Sequence, residues 1–178
     1  MVTIFRNIFD KQPYYITVDK ALERIRTGAS EALISDIRKQ LSKDRADKLK
    51  SNLPSVCFSG TFTERKDDCL KEHSGFIVLD FDNLDEVREK QTEIISKPFV
   101  YACWVSPRGN GLKALVKIAS PQKHREHFAA LKDIFPEIDE SGKNESRVCY
   151  ESFDPEIYIN QSAEVFRKTK KTERLQEA

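Results

Sequence analysis

The hydrophobic and polar positions fall into short runs whose period changes along the chain. Leu22 and Ile25 mark one apolar helical face, ended by Thr27 and Gly28, and Leu33, Ile34, Ile37 and Leu41 repeat at helical spacing. The first fifty residues are therefore expected to be mainly helical, with charges crowding SKDRADKLKSN (42–52) and Pro54 closing the stretch. VCFSGTF (56–62) reads as a strand or strand pair leading into a polar turn at 63–74. From residue 75 the signals sharpen. GFIVLDF is a strand, Asn83 is placed to cap a helix from about Leu84 to Ile95, and PFVYACWV (98–105) and LKALVKI (112–118) are strands joined by the turn SPRGN (106–110). Ser120-Pro121 opens a second helix whose apolar face carries Leu131, Ile134 and Phe135; Pro136 stops it, and SRVCYES (146–152) makes a last strand.

Strand, helix, strand, strand, helix, strand is the order of a ferredoxin-like or RNA-recognition-motif-like βαββαβ core, so the fold class is α+β. Right-handed crossovers place the first and third strands side by side and antiparallel in the centre, with the fourth beside the first. Three segments are expected: a mainly helical extension over 1–53 with some strand, a core over 54–162, and a charged tail or linker over 163–178.

Alternation then assigns faces. Ile77, Leu79 and Phe81 share one side of the first strand, and Val78, Asp80 and Asp82 the other. Lys113, Leu115 and Lys117 oppose Leu112, Ala114, Val116 and Ile118, and Arg147, Cys149 and Glu151 oppose Val148 and Tyr150. One face should pack on the helices and the other stay open, gathering Asp80, Asp82, Lys113, Lys117 and Arg147, with Asp139 brought to the same edge by the loop before the last strand.

The totals narrow the partners. A chain of 178 residues with a net charge of +1 carries no overall field that would announce a nucleic-acid binder, so such a role must rest on local charge. No apolar run approaches the ~20 residues that span a bilayer, so no membrane partner is expected. The start MVTIFRNIFDKQ lacks a secretory pattern, and Cys57, Cys69, Cys103 and Cys149 have no metal-binding spacing. Reduced core thiols and a cytoplasmic location follow as expectations. His124 and His127, three apart on a helix, and His73 in a turn are read as solvated, and Phe99 and Trp104 as core or strand-surface aromatics.

Two aspartates at the end of an apolar strand need compensating charge. Carboxylates are hard ligands for Mg²⁺ or Mn²⁺, and a pair of such ions serves in-line displacement at phosphorus. In SPRGNGLK, Ser106, Gly109 and Gly111 offer backbone N–H groups with little bulk, a cradle for phosphate oxygens next to Arg108. Lys113 and Arg147 supply positive charge for a triphosphate. A lone DxD or a glycine-bearing turn is weak alone, since both also occur as plain strand ends and hairpins. Their convergence on one sheet edge is what singles them out.

On LPSVCFSGTF, HSGFIVLDFDNL, WVSPRGNGLKALVKI and IDESGKNESRVCYESFDPEIYIN, from about Leu53 to Asn160, the chain resembles the archaeo-eukaryotic primase superfamily, and within it the VirE amino-terminal-domain group of primase-like proteins. The resemblance implies that Asp80, Asp82 and Asp139 hold divalent metal and act in catalysis. It further implies that Ser106, Gly109 and Gly111 contact the incoming nucleotide, and that Arg147 and Ser152 match residues of the last core strand. Where that superfamily usually carries a histidine, this chain has Lys113. The implied activity is nucleotidyl transfer, with nucleoside triphosphates and single-stranded DNA or a primer-template as partners and a helicase domain or protein alongside. A catalytically silent nucleic-acid-binding or replication-initiation module is the alternative, and a nuclease-like use of the metals a weaker third.

Overall fold

The computed structural model describes residues 1–172. Two short strands, β1 (Val2–Phe5) and β2 (Tyr14–Ile16), precede helices α1 (Val18–Thr27), α2 (Glu31–Lys39) and α3 (Lys43–Lys50). Strands β3 (Ser55–Cys57), β4 (Gly60–Phe62), β5 (Leu70–His73) and β6 (Phe76–Phe81) lead to α4 (Val87–Ile95). Strands β7 (Val100–Val105) and β8 (Leu112–Lys117), helix α5 (His124–Ile134), and strands β9 (Cys149–Tyr150) and β10 (Tyr158–Ile159) complete a mixed α+β fold with antiparallel sheets.

Local chemistry explains the helix ends. The Thr17 hydroxyl accepts from the Lys20 N–H (3.1 Å) and caps α1, Arg24 and Arg26 lie in its last turn, and Gly28 stops it at φ 86°. The helix expected from Leu84 begins instead at Val87, because Asn83 takes a left-handed φ of 51° and does not cap it. Proline after Ser120 produces one 3₁₀ turn (Pro121–Lys123) before α5.

Strands β6 and β8 pair antiparallel as expected, setting Asp80 directly opposite Lys113, but the sheet order β10-β7-β8-β6 puts β6 at the edge and not in the centre. The last strand departs from expectation. Rather than lying beside β6, β9 pairs with β3 in a second sheet, β2-β1-β3-β9. Residues 63–74 are not simply a polar turn, since β5 forms a hairpin with β4. Likewise residues 2–5 and 14–16 are strands, and β1 ties the amino terminus into the sheet that holds β9.

The first sheet is covered on both faces, which corrects the expectation of an open charged side. Ile77, Leu79 and Phe81 pack with Ile94, Leu131 and Phe135 of the helical layer. Val78, Leu115 and Trp104 pack with Val2 of the second sheet, Leu22 and Ile25 of α1, and Phe58 just after β3. Each large side chain buried in these layers contributes roughly 2 kcal/mol. Charge survives only at the ends: Lys117 is exposed at one, and Asp80, Asp82 and Lys113 lie at the other. Phe166, in the segment expected to be a tail or linker, is buried and bridges to Ile118. The rest of that expectation, 173–178, lies outside the described residues.

The three histidines are not a solvated set. His124 and His127 are fully buried, and one hydrogen-bonded chain fixes two tautomers. The Gly75 N–H donates to His73 Nδ1 (2.9 Å), leaving His73 Nε2–H to donate to His124 Nδ1 (3.0 Å) and His124 Nε2–H to donate to the Gly142 carbonyl (3.1 Å). Both rings are therefore held neutral, and burial pushes each down to about 4. His127 accepts from the Ser120 N–H and donates to the Lys168 carbonyl.

Candidate polyphosphate cleft at the sheet rim

Asp80 is 6% exposed and is held by two cations. Lys113 Nζ lies 2.6 Å from its Oδ1, and an Arg147 guanidinium nitrogen 3.1 Å from its Oδ2. Burial opposes the Lys113 charge, but Cys149 and Asp80 beside it hold the ammonium above the usual lysine range. Asp82 is two residues further on and exposed. Partial burial and the Asp80 charge, with Asp139 adding to it, raise its carboxyl above the usual range, while Lys113 and Arg147 pull the other way.

Asp139 arrives at the same place through the backbone, its N–H donating to the Asp80 carbonyl (3.0 Å). Its carboxylate accepts from the Ser141 hydroxyl and from the Ser141 N–H (2.8 Å) as the cap of the 3₁₀ turn Glu140–Lys143. Those bonds hold Asp139 below the usual carboxylate range.

Beside these groups opens a cleft of about 310 Å³ lined by Lys43 and Lys50 of α3, Asp82 and Asn83, Arg108 and Asn110 of the β7–β8 turn, Lys113 of β8 and Tyr150 of β9. Four cations face two carboxylates there, Asp47 and Asp82. Burial lowers the Lys50 pKa, and the neighbouring Lys113 and Arg108 lower it further against the pull of Asp47 and Asp82. Within α3 itself Asp47 offsets part of this charge, pairing with Lys50 at 3.8 Å. Lys50 also lies 5.4 Å from the centre of the Tyr150 ring.

The turn that carries Arg108 is rigidly made. The Ser106 N–H donates to the Gly111 carbonyl and the Gly109 N–H to the Ser106 carbonyl, both at 2.9 Å, so these two donors are spent inside the turn and do not form the expected cradle. Gly109 has φ 82°, and a Cβ on Gly111 would sit 2.6 Å from the Phe81 carbonyl oxygen. Arg38 of α2 grips the turn from outside, donating to the Pro107, Ser106 and Phe153 carbonyls at 3.2, 3.2 and 3.0 Å.

Of the sequence-predicted residues, Asp82, Ser106, Arg108 and Lys113 line the cleft. Asp80 and Arg147 form an ion pair outside that lining, and Asp139 is tied to Asp80 only through its backbone N–H. Ser152 is fully buried and donates to the Val105 carbonyl (2.6 Å), a tie between segments rather than a cleft contact. Lys43, Lys50 and Tyr150 were not anticipated. The signal for the lysines was the spacing Lys43, Asp47, Lys50, which puts all three on one face of a helix.

Among the described residues no group of three or more His, Cys, Asp or Glu side chains is arranged to hold a metal ion. The reason is local: both Asp80 oxygens are taken by cations, and one Asp139 oxygen by Ser141. As folded, the expected three-carboxylate ligand set does not fit a divalent ion. Also among the described residues, no helix is long and apolar enough to cross a membrane.

No curated protein and no solved structure matches the chain. Residues 48–159, which run from the end of α3 through β10 and so contain most of the cleft, match the BT4734-like N-terminal domain family, and the chain belongs to that family.

Proposed function

We propose that this cleft binds the polyphosphate of a nucleoside triphosphate, and that the domain is a primase-polymerase-like nucleotidyltransferase. The observation that carries the reading is the convergence of Lys43, Lys50, Arg108 and Lys113, from three separate segments, on one concave surface where they face two carboxylates. Lys50 and Arg108 would neutralise the outer phosphates, and Lys113 would reach them from the sheet. The transfer would join a strand's 3′-hydroxyl oxygen to the α-phosphorus and release pyrophosphate, with the protein supplying position and charge neutralisation. Mg²⁺ or Mn²⁺ enters this proposal as an ion arriving with the nucleotide, since Mg²⁺ is commonly held by one or two carboxylates together with substrate phosphates.

The run from β6 to α5, with β6 and β8 adjacent and helices α4 and α5 on one face, supports a ferredoxin-like core of the kind found in archaeo-eukaryotic primases and the VirE-like group. On this reading the core would lack its fourth strand beside β6, since β9 pairs in the second sheet.

The alternative, a silent nucleic-acid-binding or replication-initiation module, is favoured by the closed state of Asp80. A template-dependent extension assay with all four nucleotides and Mn²⁺ separates them. Incorporation that is lost on Asp82→Asn supports the transferase. DNA binding without incorporation, indifferent to metal, supports the module.

A further inference from the structure

Arg108 lines the cleft from the β7–β8 turn, and its direction depends on the peptide planes around it. The Pro107 carbonyl and the Arg108 N–H belong to one planar unit, so fixing that carbonyl fixes the amide that starts Arg108. Arg38 Nε donates to the Pro107 carbonyl (3.2 Å), and a terminal nitrogen of the same guanidinium donates to the Ser106 carbonyl (3.2 Å). One side chain therefore holds two successive peptide planes, and the next is held by the Gly109 N–H bond to Ser106. The same terminal nitrogen also reaches the Phe153 carbonyl (3.0 Å). Residues 152–154 grip the end of β7 as well, with the Ser152 hydroxyl donating to the Val105 carbonyl (2.6 Å) and the Val105 N–H donating to Asp154 (2.9 Å). Arg38 lies outside the cleft lining, on α2, which precedes the matched residues 48–159. Among the described residues no other side chain donates to the Ser106 or Pro107 carbonyl.

We propose that Arg38 is a positioning residue for the cleft: by spanning the β7–β8 turn and residues 152–154, it holds the Arg108 backbone where the Arg108 guanidinium meets polyphosphate. The inference rests on the polyphosphate reading of the cleft and assigns part of that site to the amino-terminal helices. Arg38 itself touches no ligand. Without it the turn keeps its own two hydrogen bonds but loses its tether to α2 and Phe153. Affinity then falls by the fraction of time that the turn is in place. A guanidinium suits the task because its planar fork offers several donors in fixed directions, whereas an ammonium is a point charge.

A double-mutant cycle tests this without activity as the readout. Inorganic tripolyphosphate is titrated calorimetrically, with chelator present, into the wild type, Arg38→Lys, Arg108→Ala and the double variant. Arg38→Lys keeps the positive charge and the apolar stem but lacks the fork, so a change in affinity reports the brace and not the field. It is expected to weaken binding roughly fivefold, and to have less than about a twofold effect once Arg108 is replaced by alanine. Arg65→Ala serves as the control for a merely structural loss: it removes an arginine that donates to the Asn7 and Ile8 carbonyls, away from the cleft lining, and affinity should be unchanged. Wild-type affinity in Arg38→Lys, the same loss with and without Arg108, or an equal loss in Arg65→Ala overturns the inference while leaving the cleft reading intact. Failure of the wild type to bind tripolyphosphate overturns both. Should Arg38→Lys fail to fold, Arg38→Gln takes its place in the cycle and the same outcomes decide.

Discussion

Lys113 Nζ lies 2.6 Å from Asp80 Oδ1, across directly paired strands and with both side chains nearly buried. Lys113→Gln leaves Asp80 with Arg147 alone and is expected to cost about 2–3 kcal/mol in urea denaturation, while the joint change Asp80→Asn with Lys113→Gln should cost clearly less than the sum of the same two single changes.

A second buried carboxylate binds the amino-terminal helices to the core. Glu151, 2% exposed, takes two bonds from Arg24 (2.7 and 3.0 Å) and one from the Ser30 hydroxyl (2.6 Å). Arg24→Ala should lower stability by about 3–5 kcal/mol and Ser30→Ala by about 2 kcal/mol, both read from the denaturation midpoint at constant slope.

Much of the first sheet was legible in the chain. Alternation in 76–82 and 112–118 put Asp80 and Lys113 at the same edge, and Gly28 marked the end of α1. What failed depended on distant partners. Nothing local in 146–152 says that Cys149 pairs with Val56 rather than with β6, or that Val2 and Leu22 will cover Val78. The histidines were a different kind of miss. His124, His127 and Leu131 fall at i, i+3 and i+7 on one helical stripe, so the buried face of α5 was visible had polar residues been counted in it.

The two glycines of the β7–β8 turn should differ. Gly111→Ala drives a methyl to within 2.6 Å of backbone oxygen and should unseat the turn, lowering the melting temperature and nucleotide affinity together. Gly109→Ala meets only the Arg38 side chain at 3.5 Å, so its cost is the left-handed backbone alone, about 1–2 kcal/mol.

The neutral His73–His124 chain sets an acid limit. Burial lowers both groups from 6.5 to about 4 in the folded state, so the unfolded chain binds more protons across that interval. Stability should be complete above pH 6.5 and fall by a few kcal/mol as pH drops toward 4. In His124→Gln that slope should flatten, as measured by urea denaturation at stepped pH.

Asp82 works in the opposite sense. Its raised carboxyl means that the fold disfavours its charge, so its contribution to stability falls as pH rises through the carboxylate range. Asp82→Asn is expected to raise stability at neutral pH by less than about 1 kcal/mol, because the group is exposed, and to have no effect at acid pH.

Nucleotide binding by the cation-lined cleft is tested most directly by equilibrium titration of a labelled nucleoside triphosphate into the wild type and Lys50→Ala with Arg108→Ala, both checked for intact fold by circular dichroism. The expected result is a loss of affinity of at least roughly tenfold in the double variant, with wild-type binding that weakens as salt is raised. Equal affinity in the two proteins, or no binding by the wild type at millimolar nucleotide, would contradict it.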